Sequence, residues 1–330
     1  MIRYNRVPDK QMLDMFKEQR ILSCLKEIKV PNRFEGLVSF DIQFRRNNTI
    51  NIYCGLTKLA DIKMIYDGFE ITTHQTYAAQ SCAKKIMRIW KNTDNASGEF
   101  IQALNEYLNN VEVSERWWKK EGKLQTRWLK RFGTDWDDSL PWAIFDREVV
   151  LGYDSEIDKK SIKENFINRI KLIIQKIEQK HPEYGSIKKK EPSELDMIGV
   201  SKEGDALILI EAKESRAQDM YYAPLQILYY MLEWENALRS NSSSSILEGI
   251  SSLINAKKET GLFKREMPNI IISKIPKIKP ILAIGVKEWS GEIYRRIKAT
   301  IKIINDEENN ILSNLEIWEY PENGNPKLIP

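Results

Sequence analysis

Two short runs between residues 194 and 213 are mostly apolar, but each contains charged side chains that could do chemistry. Asp196 is in the first run (194–200), and Glu211 and Lys213 end the second (206–213). A polar turn containing Gly204 separates the runs, which predicts two adjacent antiparallel strands. The second run is apolar on both faces, as is typical of a strand covered on both sides. Burying its terminal charges would cost several kcal/mol each without compensation.

The predicted hairpin brings two of these charges together. If Glu203 and Gly204 are the central residues of the turn, counting outward places Asp196 directly opposite Glu211. Their Cβ atoms would then be about 4.5–5.5 Å apart. Two carboxylates so close repel each other unless a cation lies between them, and Mg²⁺ is commonly held by one or two carboxylates. The sequence therefore predicts a Mg²⁺ or Mn²⁺ site here, although a three-residue turn with Gly204 in a bulge would shift the register by one.

The same residues resemble a known signature. Asp196, a spacer of fourteen residues and then Glu211-Ala212-Lys213 are similar to the motif of the PD-(D/E)xK nuclease superfamily, with Pro192 standing four residues before Asp196 instead of next to it. The resemblance implies a restriction-endonuclease-like core, in which helices flank a central mixed sheet, and an α/β fold class (α+β overall). It also implies phosphodiester hydrolysis. Asp196, Glu211 and the backbone carbonyl of Ala212 would hold the metal, and Lys213 would orient or help deprotonate the attacking water.

A second motif follows thirteen residues after Lys213. The segment 226–230, which begins with Gln226 and ends with Tyr230, resembles the Gln-x-x-x-Tyr element of the RecB-like branch of the superfamily. Residues four apart share a helix face, and Pro224 suits the first helical position. Gln226 would then lie in the first turn, where free backbone N–H groups favour phosphate. The resemblance implies that Gln226 and Tyr230 position the substrate or the lysine; the alternative is a core helix with an incidental glutamine.

The helix before the hairpin is a candidate source of a further acidic residue, because superfamily members often carry one there. Ser161 and Glu164 form a capping box that predicts a helix from there to about Lys180. Glu164 is the preferred candidate. Glu156 is the alternative if the helix begins earlier, near Asp154.

The most basic and aromatic stretch of the chain, residues 113–132, is the candidate nucleic-acid interface. Clustered Lys and Arg neutralise phosphates, and tryptophans can stack on unpaired bases. The alternative is a helix that buries its tryptophans and solvates its lysines. The candidate contact residues are Arg116, Trp117, Trp118, Lys119, Lys120, Lys123, Arg127, Trp128, Lys130 and Arg131.

The chain is long enough for two domains, and a polar stretch at 133–142 marks the predicted boundary. Residues 1–140 are predicted to form an α+β domain with a small antiparallel sheet followed by helices at 78–91, 98–110 and 113–132. This domain would recognise nucleic acid or a partner protein. Residues 141–330 are predicted to form the nuclease-like domain, with its core in the order helix, strand, strand, helix, strand, ending at 281–286.

Bulk composition narrows the function only slightly. The net charge of +4 is mildly basic, and three scattered cysteines with two histidines argue against disulfides and zinc. No run of eighteen apolar residues exists, which predicts a cytoplasmic protein without a membrane partner. The predicted function is a Mg²⁺-dependent nuclease acting on DNA, in defence, restriction or repair. A homodimer is compatible with this prediction, and the competing function is a non-catalytic module that binds nucleic acid or protein.

Overall fold

The computed structural model describes residues 1–18, 22, 25, 28–66, 68–91, 96–187, 192–214, 220–286, 291–322 and 324–329. Up to residue 140 its helices and strands are β1 (Ile2–Arg3), α1 (Lys10–Glu18), β2 (Asp41–Arg45), β3 (Thr49–Cys54), β4 (Thr57–Ile65), β5 (Gly68–Thr72), α2 (Gln75–Ala78), β6 (Ile89–Lys91), α3 (Ala96–Asn110), α4 (Glu115–Trp118) and α5 (Glu121–Leu129).

The remaining elements follow residue 140. They are β7 (Trp142–Val149), β8 (Gly152–Tyr153), α6 (Glu156–Lys180), β9 (Leu195–Ser201), β10 (Ala206–Glu214), α7 (Ala223–Arg239), α8 (Ser243–Glu259), β11 (Lys277–Val286), α9 (Gly291–Glu307), β12 (Glu316–Pro321) and β13 (Lys327–Ile329). Within the described residues, no helix has both the length and the apolar character needed to cross a membrane.

The chain divides into two compact units. One comprises residues 1–4, 141–248 and 270–330, and the other comprises residues 5–140 and 249–269. These units differ from the predicted ranges, 1–140 and 141–330, in two short segments. The first four residues group with the later part of the chain because Ile2 pairs with Tyr153 of β8 and the Tyr4 hydroxyl donates to buried Asp146 at 2.6 Å.

A six-stranded mixed sheet organises the first of these units. Its strand order is β13-β12-β11-β10-β9-β7; β10, β11 and β12 are parallel, whereas β9 is antiparallel to both of its neighbours. Helix α7 packs against β10 and β11, and helices α6 and α9 pack against α7. Every residue of β10 except the last is buried, as expected of a central strand. The fold is therefore of the mixed α/β class, with helices flanking a mixed sheet.

The β9–β10 hairpin has the predicted register. Leu207 pairs with Val200 and Ile210 with Met197, so the next pair outward is Glu211 and Asp196. The connection is a four-residue loop, not a two-residue turn. The Gly204 N–H closes it on the Ser201 carbonyl at 2.9 Å, and Gly204 has a φ of +73°, which glycine adopts without steric cost. The register is unchanged because both connections contain an even number of residues.

The second unit contains a five-stranded antiparallel sheet in the order β2-β3-β4-β5-β6. One strand lies where a helix was predicted: within residues 78–91 only Ala78 is α-helical, and β6 (Ile89–Lys91) pairs with β5. The Trp90 ring stacks on Phe69 of β5, with ring centroids 6.5 Å apart. This aromatic packing across the strands overrides the local helical pattern.

A glycine in β9 permits the close approach of β7. A Cβ on Gly199 would lie 2.5 Å from the Ala143 backbone oxygen, so we expect Gly199→Ala to lower the free energy of unfolding by about 1–3 kcal/mol. Gly98 in α3 is the matched control. Its Cβ would meet nothing within 4 Å, and Gly98→Ala should raise that free energy by roughly 0.5–1 kcal/mol. Urea titrations measure both, and equal effects in the two variants would contradict the tight approach of the strands.

Candidate active site

The ends of β9 and β10 hold the two carboxylates in place. Regular strand pairing stops at Met197 and Ile210. One residue further, the Asp196 side chain accepts the backbone N–H of Ala212 at its Oδ2, at 2.8 Å. This bond fixes the orientation of the Asp196 carboxylate beside Glu211, its partner in the hairpin register.

Glu211 and Lys213 form a buried ion pair. Alternate residues on a strand share one face, and the Lys213 Nζ lies 2.8 Å from the Glu211 Oε1. The two residues are only 2% and 7% exposed. Removing each charge from water costs several kcal/mol, and mutual attraction offsets this only when the geometry is good. The end of β10 therefore depends on each charge having its partner.

Tyr230 connects α7 to the start of β9. Its buried hydroxyl donates to the Glu194 carbonyl, two residues before Asp196. The pKa of Tyr230 is well above its ordinary value, first because of burial and then because of nearby negative charges that include Glu211 and Asp196. The phenol therefore remains a neutral donor.

Gln226 lies one helical turn before Tyr230 and is half-buried. In the part of the chain that the structure describes, its side chain makes no hydrogen bond. Helix α7 begins at Ala223, so Pro224 is its second residue. Pro224 was predicted to be the first residue of the helix. Gln226 is then the fourth residue of the helix.

The two acidic candidates on the preceding helix face solvent. The capping-box prediction was wrong: α6 begins at Glu156, and the Ser155 side chain caps it by accepting the Asp158 N–H at 3.0 Å. Glu164 therefore lies well inside the helix, where its exposed side chain is 3.8 Å from Lys160. Glu156 is even more exposed and pairs with Lys159. The structure brings neither carboxylate into the buried cluster around Glu211.

Another buried acid, Glu233, was not predicted from the sequence. Glu233 of α7 is 4% exposed, accepts the Tyr153 hydroxyl at 2.8 Å and lies 3.4 Å from the Lys163 Nζ. The available signal was a glutamate within the otherwise apolar stretch 227–234 of α7. Its partners could not be read from local spacing, because they are 80 and 70 residues away along the chain. Helix α6 thus contributes Lys163 to the interior in place of Glu164.

Glu148 is in strand register with Asp196. Arg147 pairs with Met197 and Val149 with Leu195, which places Glu148 opposite Asp196 on the other side of β9. Its φ of +48° departs from extended backbone, and its Oε1 lies 3.5 Å from Arg147. Within the described ranges, no three His, Cys, Asp or Glu side chains come together as a metal site.

The basic and aromatic stretch forms separate short elements instead of one helix. After α4, the chain turns at Lys120, which has a φ of +51°, and α5 then leads into a π-helical turn at Lys130–Thr134. Gly122 is required at this turn because a Cβ there would lie 2.1 Å from the Trp117 carbonyl oxygen.

Two of the candidate stacking residues are not accessible. Trp118 packs edge-on against Phe34 at 5.5 Å, Trp128 stacks on Phe132 at 4.9 Å, and both tryptophans are buried. The predicted contact of Trp118 and Trp128 with bases was therefore wrong, because a buried ring cannot stack on a base. Trp117 is half-buried beneath the Arg116 guanidinium, 4.5 Å from its ring centroid.

The basic candidates in this stretch differ in exposure. Arg116, Lys119 and Lys120 are exposed, whereas Lys123, Arg127, Lys130 and Arg131 are half-buried. Lys119 pairs with Glu115 at 2.7 Å and Arg131 with Asp137 at 2.9 Å. The arrangement resembles the alternative of buried tryptophans and solvated basic groups.

Comparison of the chain with protein-family models, curated proteins and solved structures found no match. The chemistry of the carboxylate pair must therefore be judged from its own geometry.

The hydrogen bond from Tyr230 provides a test of how the start of β9 is held. We expect Tyr230→Phe to lower the free energy of unfolding by about 1 kcal/mol, because the Glu194 carbonyl loses its donor. Tyr66→Phe is the matched control, since the Tyr66 side chain is fully exposed. Chemical denaturation measures both variants, and an unchanged midpoint for Tyr230→Phe would show that this bond does not stabilise the site.

Proposed function

We propose that this chain is a Mg²⁺-dependent nuclease of the PD-(D/E)xK type, with DNA as its substrate. The observation that carries the proposal is the hairpin register, whose next pair outward is Asp196 and Glu211, with Lys213 held 2.8 Å from Glu211. The order α6, β9, β10, α7, β11 around a mixed sheet supports the proposed restriction-endonuclease-like core. Helix α8 would be an insertion before the last of these strands.

The donor set fits a hard divalent cation. The Asp196 and Glu211 carboxylates and the Ala212 carbonyl offer oxygen ligands, and Mg²⁺ or Mn²⁺ commonly binds one or two carboxylates, with water completing its coordination. The ion, when bound, polarises the phosphate and lowers the pKa of a coordinated water.

Lys213 has two roles in this proposal. Without a metal, it neutralises the buried Glu211 carboxylate. With Glu211 holding a metal, the Lys213 ammonium would be free to orient the attacking water and to stabilise the negative charge that develops on the phosphate. Its position on the same strand face, two residues from Glu211, suits both roles.

The helix α7 would position the substrate. Tyr230 remains a neutral donor to the Glu194 carbonyl and so holds the strand that carries Asp196. Gln226 lies one turn nearer the helix start, and its half-buried amide is available to contact a phosphate or a base. The exposed cations Arg116, Lys119 and Lys120 of the other unit are the proposed further contacts with nucleic acid.

Cleavage assays with isosteric variants test the proposal. We expect Asp196→Asn to reduce Mg²⁺-dependent DNA cleavage by at least about 10²-fold, because the metal loses a charged ligand. Lys213→Ala is a poor probe, since it would leave the Glu211 carboxylate buried without its countercharge. The double variant Glu211→Gln/Lys213→Met removes both charges together and should be equally inactive while remaining folded.

Glu164→Gln is the matched control, because it neutralises a carboxylate that the structure places in solvent. This variant should cleave as fast as the native chain. Circular and linear DNA, with RNA as a further substrate, should be tested with each protein. Native cleavage rates in Asp196→Asn would refute the proposed mechanism.

One observation favours the competing, non-catalytic function. The Glu211–Lys213 pair is internally neutralised, as a structural ion pair in a nucleic-acid-binding or protein-binding module would be. Calorimetric titration with Mn²⁺ separates the two functions. The nuclease proposal predicts a saturable site that Asp196→Asn removes and Glu164→Gln retains. A structural ion pair predicts no heat of binding in any of the three proteins.

A further inference from the structure

A groove lies between helix α9 and the last two strands of the sheet, in the unit that contains β10. Its volume is about 480 Å³, within the range of small-molecule sites. One wall carries Tyr294, Lys298 and Lys302 of α9, and aliphatic side chains that include Leu315, Ile317 and Ile329 also line it. The proposed function does not use this groove.

Two lysines give the groove a concentrated positive charge. Lys298 and Lys302 are four residues apart and so share one helix face, with Cβ atoms about 5–6 Å apart. Both are exposed, and in the part of the chain that the structure describes neither forms an ion pair, although Asp306 also lines the groove. Two ammonium groups on one helix face match the charge of a phosphate.

The remaining lining suits an organic body attached to that phosphate. The Lys298 Nζ lies 4.3 Å from the centroid of the Tyr294 ring, which places an aromatic surface next to the charge. Asn305, Asn310 and Ser313 offer amide and hydroxyl groups. The Asn305 Oδ1 is fixed by the Leu312 N–H at 2.8 Å, so one end of this polar rim is held in place.

We infer that the groove binds a mononucleotide, with its phosphate on Lys298 and Lys302 and its base against Tyr294 and the aliphatic floor. An inorganic anion would leave the apolar floor uncovered. A purely apolar ligand would make no use of the two ammonium groups. A nucleotide satisfies both parts of the lining and adds sugar hydroxyls for the polar rim.

The groove is separate from the carboxylate pair. Ile317 pairs with Leu282, and Leu282 pairs with Glu211, so Ile317 lies two strands from Glu211 in the same row of the sheet. At the usual strand spacing this is about 10 Å. The inference therefore does not rest on the nuclease proposal.

Isothermal titration of the full chain, without divalent metal, tests the inference. The probes are AMP and ATP, with adenosine and inorganic phosphate as the separate halves of the ligand. We expect the nucleotides to bind at one site per chain, and each half alone to bind at least tenfold more weakly. Lys298→Gln and Lys302→Gln should each weaken nucleotide binding about tenfold. Asp196→Asn should bind nucleotide with native affinity. Nucleotide binding in the groove is then independent of the carboxylate pair.

Arg295→Gln is the matched control, because Arg295 is an exposed cation of the same helix that does not line the groove. It should bind nucleotides with native affinity. The inference is overturned if neither nucleotide binds the native chain, if the Lys298→Gln/Lys302→Gln double variant retains native affinity, or if Arg295→Gln loses as much as the lysine variants.

Discussion

The buried ion pair of Glu211 and Lys213 is the constraint on which the surrounding structure depends. Both charges lie at the end of a strand that has neighbours on each side, where desolvation costs several kcal/mol per ion. Their mutual attraction offsets that cost only while the strand end is held rigidly. The Ala212 N–H, which lies between them in the sequence, is fixed by the Asp196 carboxylate. The hairpin register and the ion pair therefore stabilise each other.

Helix α7 extends this arrangement with another buried acid. Glu233 lies one turn beyond Tyr230 and is compensated by Lys163 of α6 and by the Tyr153 hydroxyl. The negative charge of Glu233 also raises the pKa of Tyr230, so the two acidic clusters act on the same phenol. Glu211 and Glu233 are each paired with a lysine. Helix α7 can therefore pack against β10 and β11 without leaving either carboxylate uncompensated in the interior.

The hairpin could be predicted from the sequence because its determinants are local. Alternation along the strands and an even-numbered loop fix which residue faces Asp196. The start of α6 could not be predicted equally well, because Ser155 and Ser161 are each followed three residues later by an acid and so give the same local signal. The pairing of Glu233 with Lys163 depends on two helices meeting in space. Likewise, composition alone did not reveal which tryptophans in the segment 113–132 would be buried.

The same ion pair links stability to the proposed chemistry. A cation at Glu211 would have to compete with Lys213 for one buried carboxylate, so a stronger pair would make the hairpin more rigid and the proposed metal binding weaker. Ligands that bind only the folded state stabilise it by mass action, and a bound metal would restore the stability lost when the pair opens. Lys213 would then be released from Glu211, and so be free to act on the substrate, only when the metal is bound. The Asp196 carboxylate already accepts a backbone N–H, so Asp196 would be the better anchored of the two proposed ligands.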